Sequence, residues 1–276
     1  MDFEENNLDE IESLSQRGRT LSIVDSINSN TIDMDMAALC LYAISNGSSF
    51  LTSARPGNAG KTTLMACLLT FLTPGVRIIS IGNPSVVTDT HNALSGKSID
   101  NLCVLCHEIG HGHLHGYLWG KYVGQLFDLM NCGCRIASCI HADTLDEMHG
   151  TLVSSELGVS ESDFAQLDLI LFIKLMREGT GYKRRVSALY EGNVEAGRHN
   201  LLFTWDERSD SFIKHGDSFL LKKIAKEHGK SDKQVADELQ QCKSFIEERV
   251  KSSVADFRQV RKEVIRFIPI LVRNDT

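Results

Sequence analysis

Ala54-Arg-Pro-Gly-Asn-Ala-Gly-Lys-Thr-Thr-Leu64 is the stretch from which the rest of this chain is read. It follows a short apolar run, Ser49 to Ser53, and opens an apolar-periodic segment from Lys61 to Phe71. Strand, glycine-bearing turn and a helix beginning at Gly-Lys-Thr is the context a phosphate-binding loop needs. In such a loop the backbone N–H groups of Pro56-Gly57-Asn58-Ala59-Gly60 and of the helix start surround phosphate oxygens; proline alone brings none. Lys61 then reaches the β- and γ-phosphates, and the hydroxyl of Thr62 holds Mg²⁺, with Thr63 completing the cradle. Arg55 stands where the first glycine of the pattern is usual, and Pro56-Gly57 still supplies a turn there. The plainer alternative is a strand–turn–helix that holds no phosphate.

Outward from this stretch, short apolar segments alternate with helical patterns. Asp33 to Ile44 has the apolar spacing of one helix face. Val76–Ile81 reads as a second strand, Leu102–Cys106 as a third and Cys134–Ile140 as a fourth, with His141-Ala-Asp-Thr leading into a helix to about Leu152. Residues 85–100 give no clear element, and His107–Gly124 reads as a glycine-rich loop with a helix starting near Leu118. This alternation predicts an α/β fold, a largely parallel sheet covered on both faces. Phe164 to Met176 is a buried helix or a strand. Arg184–Glu191 and Asn200–Trp205 read as edge strands. Phe219–His228 is helical, Ser231 caps a helix from Asp232 to about Lys251, and a last helix runs from Ser253 to Phe267, before Pro269. The expected organisation is an acidic flexible arm over 1–30, a core over 31–215 and a helical C-terminal subdomain over 216–276.

The bulk composition limits the function classes. Of 276 residues, 42% are hydrophobic and 24% charged, with a formal net charge of -7, so no nucleic-acid partner is predicted. Residues 1–12 hold six acidic side chains and no basic one, which is not a secretory signal. No apolar run approaches the roughly 18–20 residues of a membrane span. A cytoplasmic protein is expected, with its eight cysteines mostly reduced. Cys103-x-x-Cys106 and Cys132-x-Cys134 admit a split zinc site, but they sit in and beside apolar segments, where buried thiols are commoner.

Two strand ends carry candidate chemistry. Glu108 lies two residues past the third strand, where a carboxylate can touch the Mg²⁺ shell or activate water, because ligands sit beyond the carboxyl ends of parallel strands. His141 ends the fourth strand, where a neutral imidazole can donate to a γ-phosphate. Each also has the plainer reading of an ordinary strand-end polar residue. His107-Glu-Ile-Gly-His111 matches the H-E-x-x-H pattern of zinc peptidases, but that pattern needs a helix, and glycines at 110, 112 and 116 oppose one. The cluster His107, His111, His113 and His115 leaves metal binding by its own geometry open.

Taken in order, these segments resemble the secretion-ATPase superfamily: motors of type II and type IV secretion, type IV pili and archaeal pilus and archaellum assembly. The resemblance runs from about Thr31 to Ile268. Gly60-Lys-Thr-Thr-Leu is similar to the family's Walker A segment, and Val104-Leu-Cys-His-Glu-Ile to its Walker B region, with Glu108 at the catalytic glutamate. Gly133-Cys-Arg-Ile-Ala-Ser-Cys-Ile-His-Ala-Asp-Thr is similar to its histidine box, with His141 as the histidine. Arg184-Arg-Val and Leu202-Phe-Thr-Trp-Asp-Glu-Arg-Ser-Asp-Ser-Phe resemble the archaeal C-terminal region. The resemblance implies a RecA-like P-loop NTPase, with ATP and Mg²⁺ as ligands and Lys61, Glu108 and His141 as catalytic residues. It also implies a hexameric ring, and a membrane platform protein or a full-length motor paralogue as partner, at the inner face of the membrane. The chain departs from the family at Gly82-Asn83, where an acidic pair is usual, at His107 for a glycine, and at Gly110 for an arginine. Ala93-Leu-Ser-Gly-Lys-Ser replaces an arginine-rich stretch, and the relatives' large N-terminal domain is not represented. These changes favour a second reading, a nucleotide-binding regulator or assembly protein with little turnover.

Overall fold

The computed structural model describes residues 3–15, 18–94, 97–112 and 116–273. Helices α1 (Phe3–Ser13), α2 (Ile23–Asn28) and α3 (Met34–Ser45) precede strand β1 (Phe50–Ser53) and helix α4 (Lys61–Leu69). Then come β2 (Arg77–Ser80), α5 (Pro84–Leu94), β3 (Leu102–Ile109), β4 (Tyr117–Leu118), α6 (Lys121–Asp128), β5 (Arg135–Ile140), α7 (Leu145–Leu152) and α8 (Glu161–Gln166). The chain closes with β6 (Leu169–Glu178), β7 (Gly181–Asn193), β8 (Arg198–Asp206), β9 (Ser211–Lys214), α9 (Phe219–Glu227), α10 (Asp232–Lys251) and α11 (Phe257–Arg273).

One nine-stranded sheet runs through the molecule in the order β2-β3-β5-β1-β6-β7-β8-β9, with β4 attached to β3. From β2 to β6 all pairings are parallel, and from β6 to β9 all are antiparallel. The parallel strands are short and apolar because both of their faces are covered. Alternate side chains divide between two cores. Phe50, Cys103, Leu105, Ala137 and Leu169 face α1–α4 and α9–α11, while Leu51, Val104, Cys106, Ile136 and Ile170 face α5–α8. This is a RecA-like P-loop NTPase fold, a largely parallel sheet flanked by helices on both faces.

Several segments differ from their sequence reading. The acidic start is not an arm over Phe3–Ser13. It forms α1, which buries Leu8 and Ile11 and uses the Asn7 amide to pair with Val76 O and Ile78 N along the free edge of β2, at 2.8 Å each. Its carboxylates meet α11: Glu5, Asp9 and Glu12 surround Arg258, and Glu4 pairs with Arg261. The C-terminal helices share the larger core with α1–α4 and do not stand apart. Helix α10 lies on α3, where buried Glu238 accepts from Tyr42 Oη at 2.6 Å and from Lys230 Nζ. Strand β7 is interior, not an edge, because it pairs with both β6 and β8. Residues 84–94 are helical, and Pro269 lies inside α11. Among the described residues, no helix is long and apolar enough to cross a membrane.

Candidate functional site

Strand β1 is buried along its whole length and ends at the loop 54–60. Within that loop Asn58 (φ 62°) and Gly60 (φ 98°) are left-handed. Asparagine tolerates this region better than other side chains, and glycine takes it freely. At Gly60 a Cβ would also stand 3.0 Å from Arg184 Cδ, so a larger residue would have to shift that side chain as well as strain the backbone. Such a turn, followed directly by a helix start, gathers backbone N–H groups that have no intrahelical acceptor. The hydroxyl of Thr52 on β1 donates to Lys61 O at 3.1 Å and fixes the start of α4 against the strand. Arg55, Pro56, Gly57 and Asn58 are exposed, Ala59 and Lys61 are buried, Thr62 is half-buried and Thr63 is exposed.

The structure brings Lys61, Glu108 and His141 together from three elements. Lys61 Nζ lies 3.1 Å and 3.3 Å from the two ring nitrogens of His141 and 3.5 Å from Glu108 Oε1. Glu108 Oε1 lies 2.7 Å from His141 Nε2. That contact is close but misaligned, so Oε1 is a buried oxygen with no hydrogen bond. Lys61 and Glu108 are each 7% exposed. Burying a lysine and a carboxylate is costly unless they face one another or a ligand, and here they face one another across a short gap. His141 Nδ1 lies 2.8 Å from Arg55 O and 3.1 Å from Ala54 O, which ties the imidazole to the loop itself.

Glu108 is not beyond a strand. Strand β3 continues to Ile109, and a bulge lies between Cys106 and Ile109, where β3 has one residue more than β5. A bulge re-aims side chains at the end of a ladder, and this one lies at Glu108. Tyr117 of β4 is the register partner of Glu108. Its phenol is pushed above its ordinary range by burial first and by the Glu108 charge second. Thr62 Oγ1 lies 3.9 Å from Cys139 Sγ, on the β5 side of the helix start.

Arg55 builds a second tie. Its N–H donates to Asp143 Oδ1 at 2.9 Å, and its guanidinium pairs with Asp143 and with Glu147 of α7. Glu147 in turn accepts from Asp143 N, the leading cause that holds its carboxyl below the usual range. Thus the loop, the turn after β5 and the first turn of α7 form one connected unit. On the opposite flank, Arg184 of β7 donates from Nη2 to Asn58 O at 3.0 Å. Arg55, Asp143, Glu147 and Arg184 had no role in the sequence reading of the site. Arg55, Asp143 and Arg184 lie within the motif segments, but most of their partners are far away in sequence, and the segments do not reveal the pairings.

The H-E-x-x-H stretch is not helical. His107 and Glu108 are neighbours on β3 at the bulge, and the His111 ring lies tilted against Trp119 with centroids 3.8 Å apart. His113 and His115 lie outside the described residues. Among the described residues, no group of three or more His, Cys, Asp or Glu side chains is set to hold a metal ion. Cys103 and Cys106 point into different cores, and burial pushes each thiol up to about 12. A cleft of about 580 Å³ between α10 and α11, lined by Phe245, Phe267 and Ile270, belongs to another part of the molecule.

No protein-family model matches the chain. An uncharacterized protein of Methanocaldococcus jannaschii is 22% identical over 262 residues, which covers 88% of this chain and 96% of that one. Among solved structures, the ATPase DotB of Yersinia pseudotuberculosis aligns with a TM-score of 0.38 and 11% identity over 83% of this chain and 60% of that one. The ATPase DotB of Legionella pneumophila aligns with a TM-score of 0.36 and 13% identity over 80% and 58%. The chain spans about three-fifths of the length of those two ATPases.

Proposed function

We propose that this chain binds ATP with Mg²⁺ at Pro56–Thr63 and hydrolyses it in an assembly or secretion system. One observation carries the reading. A buried lysine at the start of the loop-following helix, a buried carboxylate with an unbonded oxygen and a histidine tied to the loop converge within 3.5 Å. That donor set fits a triphosphate and its metal, since the lysine and the helix start supply positive charge and the carboxylate supplies a proton acceptor.

Bound Mg²⁺–ATP supplies the scissile phosphoanhydride and part of the neutralising charge. The chain's own residues do the rest. Lys61 turns from Glu108 and His141 toward the phosphates, and the loop N–H groups hold their oxygens. Thr62 offers its hydroxyl to the metal. Glu108, released from Lys61, holds a water and accepts its proton. His141 senses the terminal phosphate from its ring and passes the change through Asp143 to α7. A homo-oligomeric ring, and docking onto a membrane platform or a full-length motor paralogue, belong to the same reading. They rest on the resemblance alone.

Steady-state ATP hydrolysis by pure protein at several concentrations tests this. Lys61→Ala is expected to lose both binding and turnover. Glu108→Gln is expected to keep binding and lose roughly 10²-fold or more in rate. Undiminished turnover in either variant would overturn the assignment. A specific observation favours a slower, regulatory variant of the same function. A Cβ at Gly110 would stand 3.5 Å from Glu108 Cγ, so this position lies beside the carboxylate, and as glycine it brings no cation to it. Tight ATP binding without turnover, alone and in the presence of partners, would select that variant.

A further inference from the structure

Three consecutive cations on β7 are treated differently. Lys183 pairs with Glu178 at 3.4 Å. Arg185 is held by both oxygens of Asp210 at 2.7 Å and also donates to Ser29 O and Arg184 O. Arg184, between them, has no carboxylate partner among the described residues. Among the described residues its one side-chain hydrogen bond goes to the carbonyl of Asn58, in the middle of the loop, at 3.0 Å. Its Cδ lies 3.0 Å from where a Cβ on Gly60 would stand, so the half-buried side chain runs along the loop.

Position in the sheet sets what Arg184 can face. Strand β1, which delivers the loop, has β5 on one side and β6 on the other, with β3 beyond β5 and β7 beyond β6. Glu108 and His141 come from the β3 and β5 side, and Arg184 comes from the β7 side. An uncompensated guanidinium bound to a neutral carbonyl gains by exchanging it for an anionic oxygen, because Coulomb attraction between two full charges and a bidentate fit are then added to the hydrogen bond. Arginine also suits phosphate better than lysine through its fork of donors.

We propose that Arg184 is a second phosphate-binding cation of this site. It faces the α- and β-phosphates of the nucleotide, while Lys61, Glu108 and His141 face the terminal one. The assignment rests on the nucleotide-binding reading above and adds a residue to it. A bridging arginine that props the loop and one that grips phosphate differ in a measurable way. Glutamine keeps a donor for Asn58 O but loses the charge, and lysine keeps the charge.

Titration calorimetry with Mg²⁺–ATP and Mg²⁺–ADP on wild type, Arg184→Gln and Arg184→Lys tests it, with thermal melts of each ligand-free protein as the folding control. Arg184→Gln is expected to weaken both nucleotides by about tenfold, the size of one charge-assisted contact. Arg184→Lys is expected to recover most of that loss. Wild-type affinity in Arg184→Gln overturns the inference and leaves Arg184 as a prop for the loop. Loss for ATP with ADP unchanged overturns the placement at the α- and β-phosphates. Equal loss in the lysine and glutamine variants overturns the role of charge. If folded wild type takes up neither nucleotide, the phosphate-loop reading itself fails, and this inference fails with it.

Discussion

His199 on β8 is buried, with its ring 4.6 Å from that of Phe164, its Nε2 2.8 Å from Leu167 O and its Nδ1 unbonded. Burial lowers its pKa from 6.5 to about 4, with the Leu167 carbonyl pulling the other way. The unfolded chain therefore binds a proton between pH 6.5 and 4 that the folded chain does not, and stability falls as pH drops through that window. At 1.36 kcal/mol per unit the loss is on the order of 3 kcal/mol. Below it, the slope belongs to carboxylates such as Asp210, which Arg185 holds well under the ordinary range. Urea unfolding of wild type and His199→Gln from pH 7 to 4.5 checks this, and the variant is expected to show the shallower decline. Identical slopes would show that the titration is carried elsewhere. The candidate site shows what single residues can tell in advance. Lys61 and His141 stand out because one opens and the other closes a recognisable segment. The bulge that aims Glu108 depends on pairing with β5, which no local pattern records.

At the scale of elements, α10 shows how a helix is fixed by polar contacts within an apolar contact surface. Glu238 is buried between Tyr42 and Lys230, and truncating it removes two hydrogen bonds to a charged group, at roughly 1.5–3 kcal/mol each. Glu238→Ala is expected to destabilise by roughly that amount in denaturant titrations, and a change under about 1 kcal/mol would show that apolar packing alone docks the helix. The start of α10 was legible from Ser231, which forms a capping box with Gln234. The buried parallel strands were legible too, because they are continuous apolar runs. Helix α5 was not, since only Val87 and Leu94 of its residues are buried and the rest carry no period. Segment 164–176 was ambiguous because α8 passes into β6 within it, and apolar content alone cannot place that change. In α11 the rule that proline ends a helix failed. Pro269 is exposed near the last turn, where water replaces the one bond it removes.

Across the whole molecule, the acidic and basic ends of the chain answer one another. Helix α1 supplies Glu4 to Arg261, whose side chain is 2% exposed, and three more carboxylates to Arg258. A chain beginning at Ser15 would leave Arg261 without its counter-charge and strip Leu8 and Ile11 from the core. The loss expected is about 3–5 kcal/mol for the ion pair and about 1.5–3 kcal/mol for each side chain. That is enough to abolish cooperative unfolding in a marginal fold, and Arg261→Met in the shortened chain should restore part of it. A shortened chain that melts like wild type would refute this. Net charge and composition could not reveal the arrangement, because they count the acids at one end and the bases at the other without joining them.

Arg261 also donates to the carbonyls of Thr70 and Leu72, just past the carboxyl end of α4. That helix is a rigid rod of nine residues, about 14 Å long, with Lys61 at its other tip. Helices α1 and α11 therefore meet, through Arg261, at the far end of the helix whose start carries Lys61. One guanidinium thus braces the butt of the rod whose point carries Lys61.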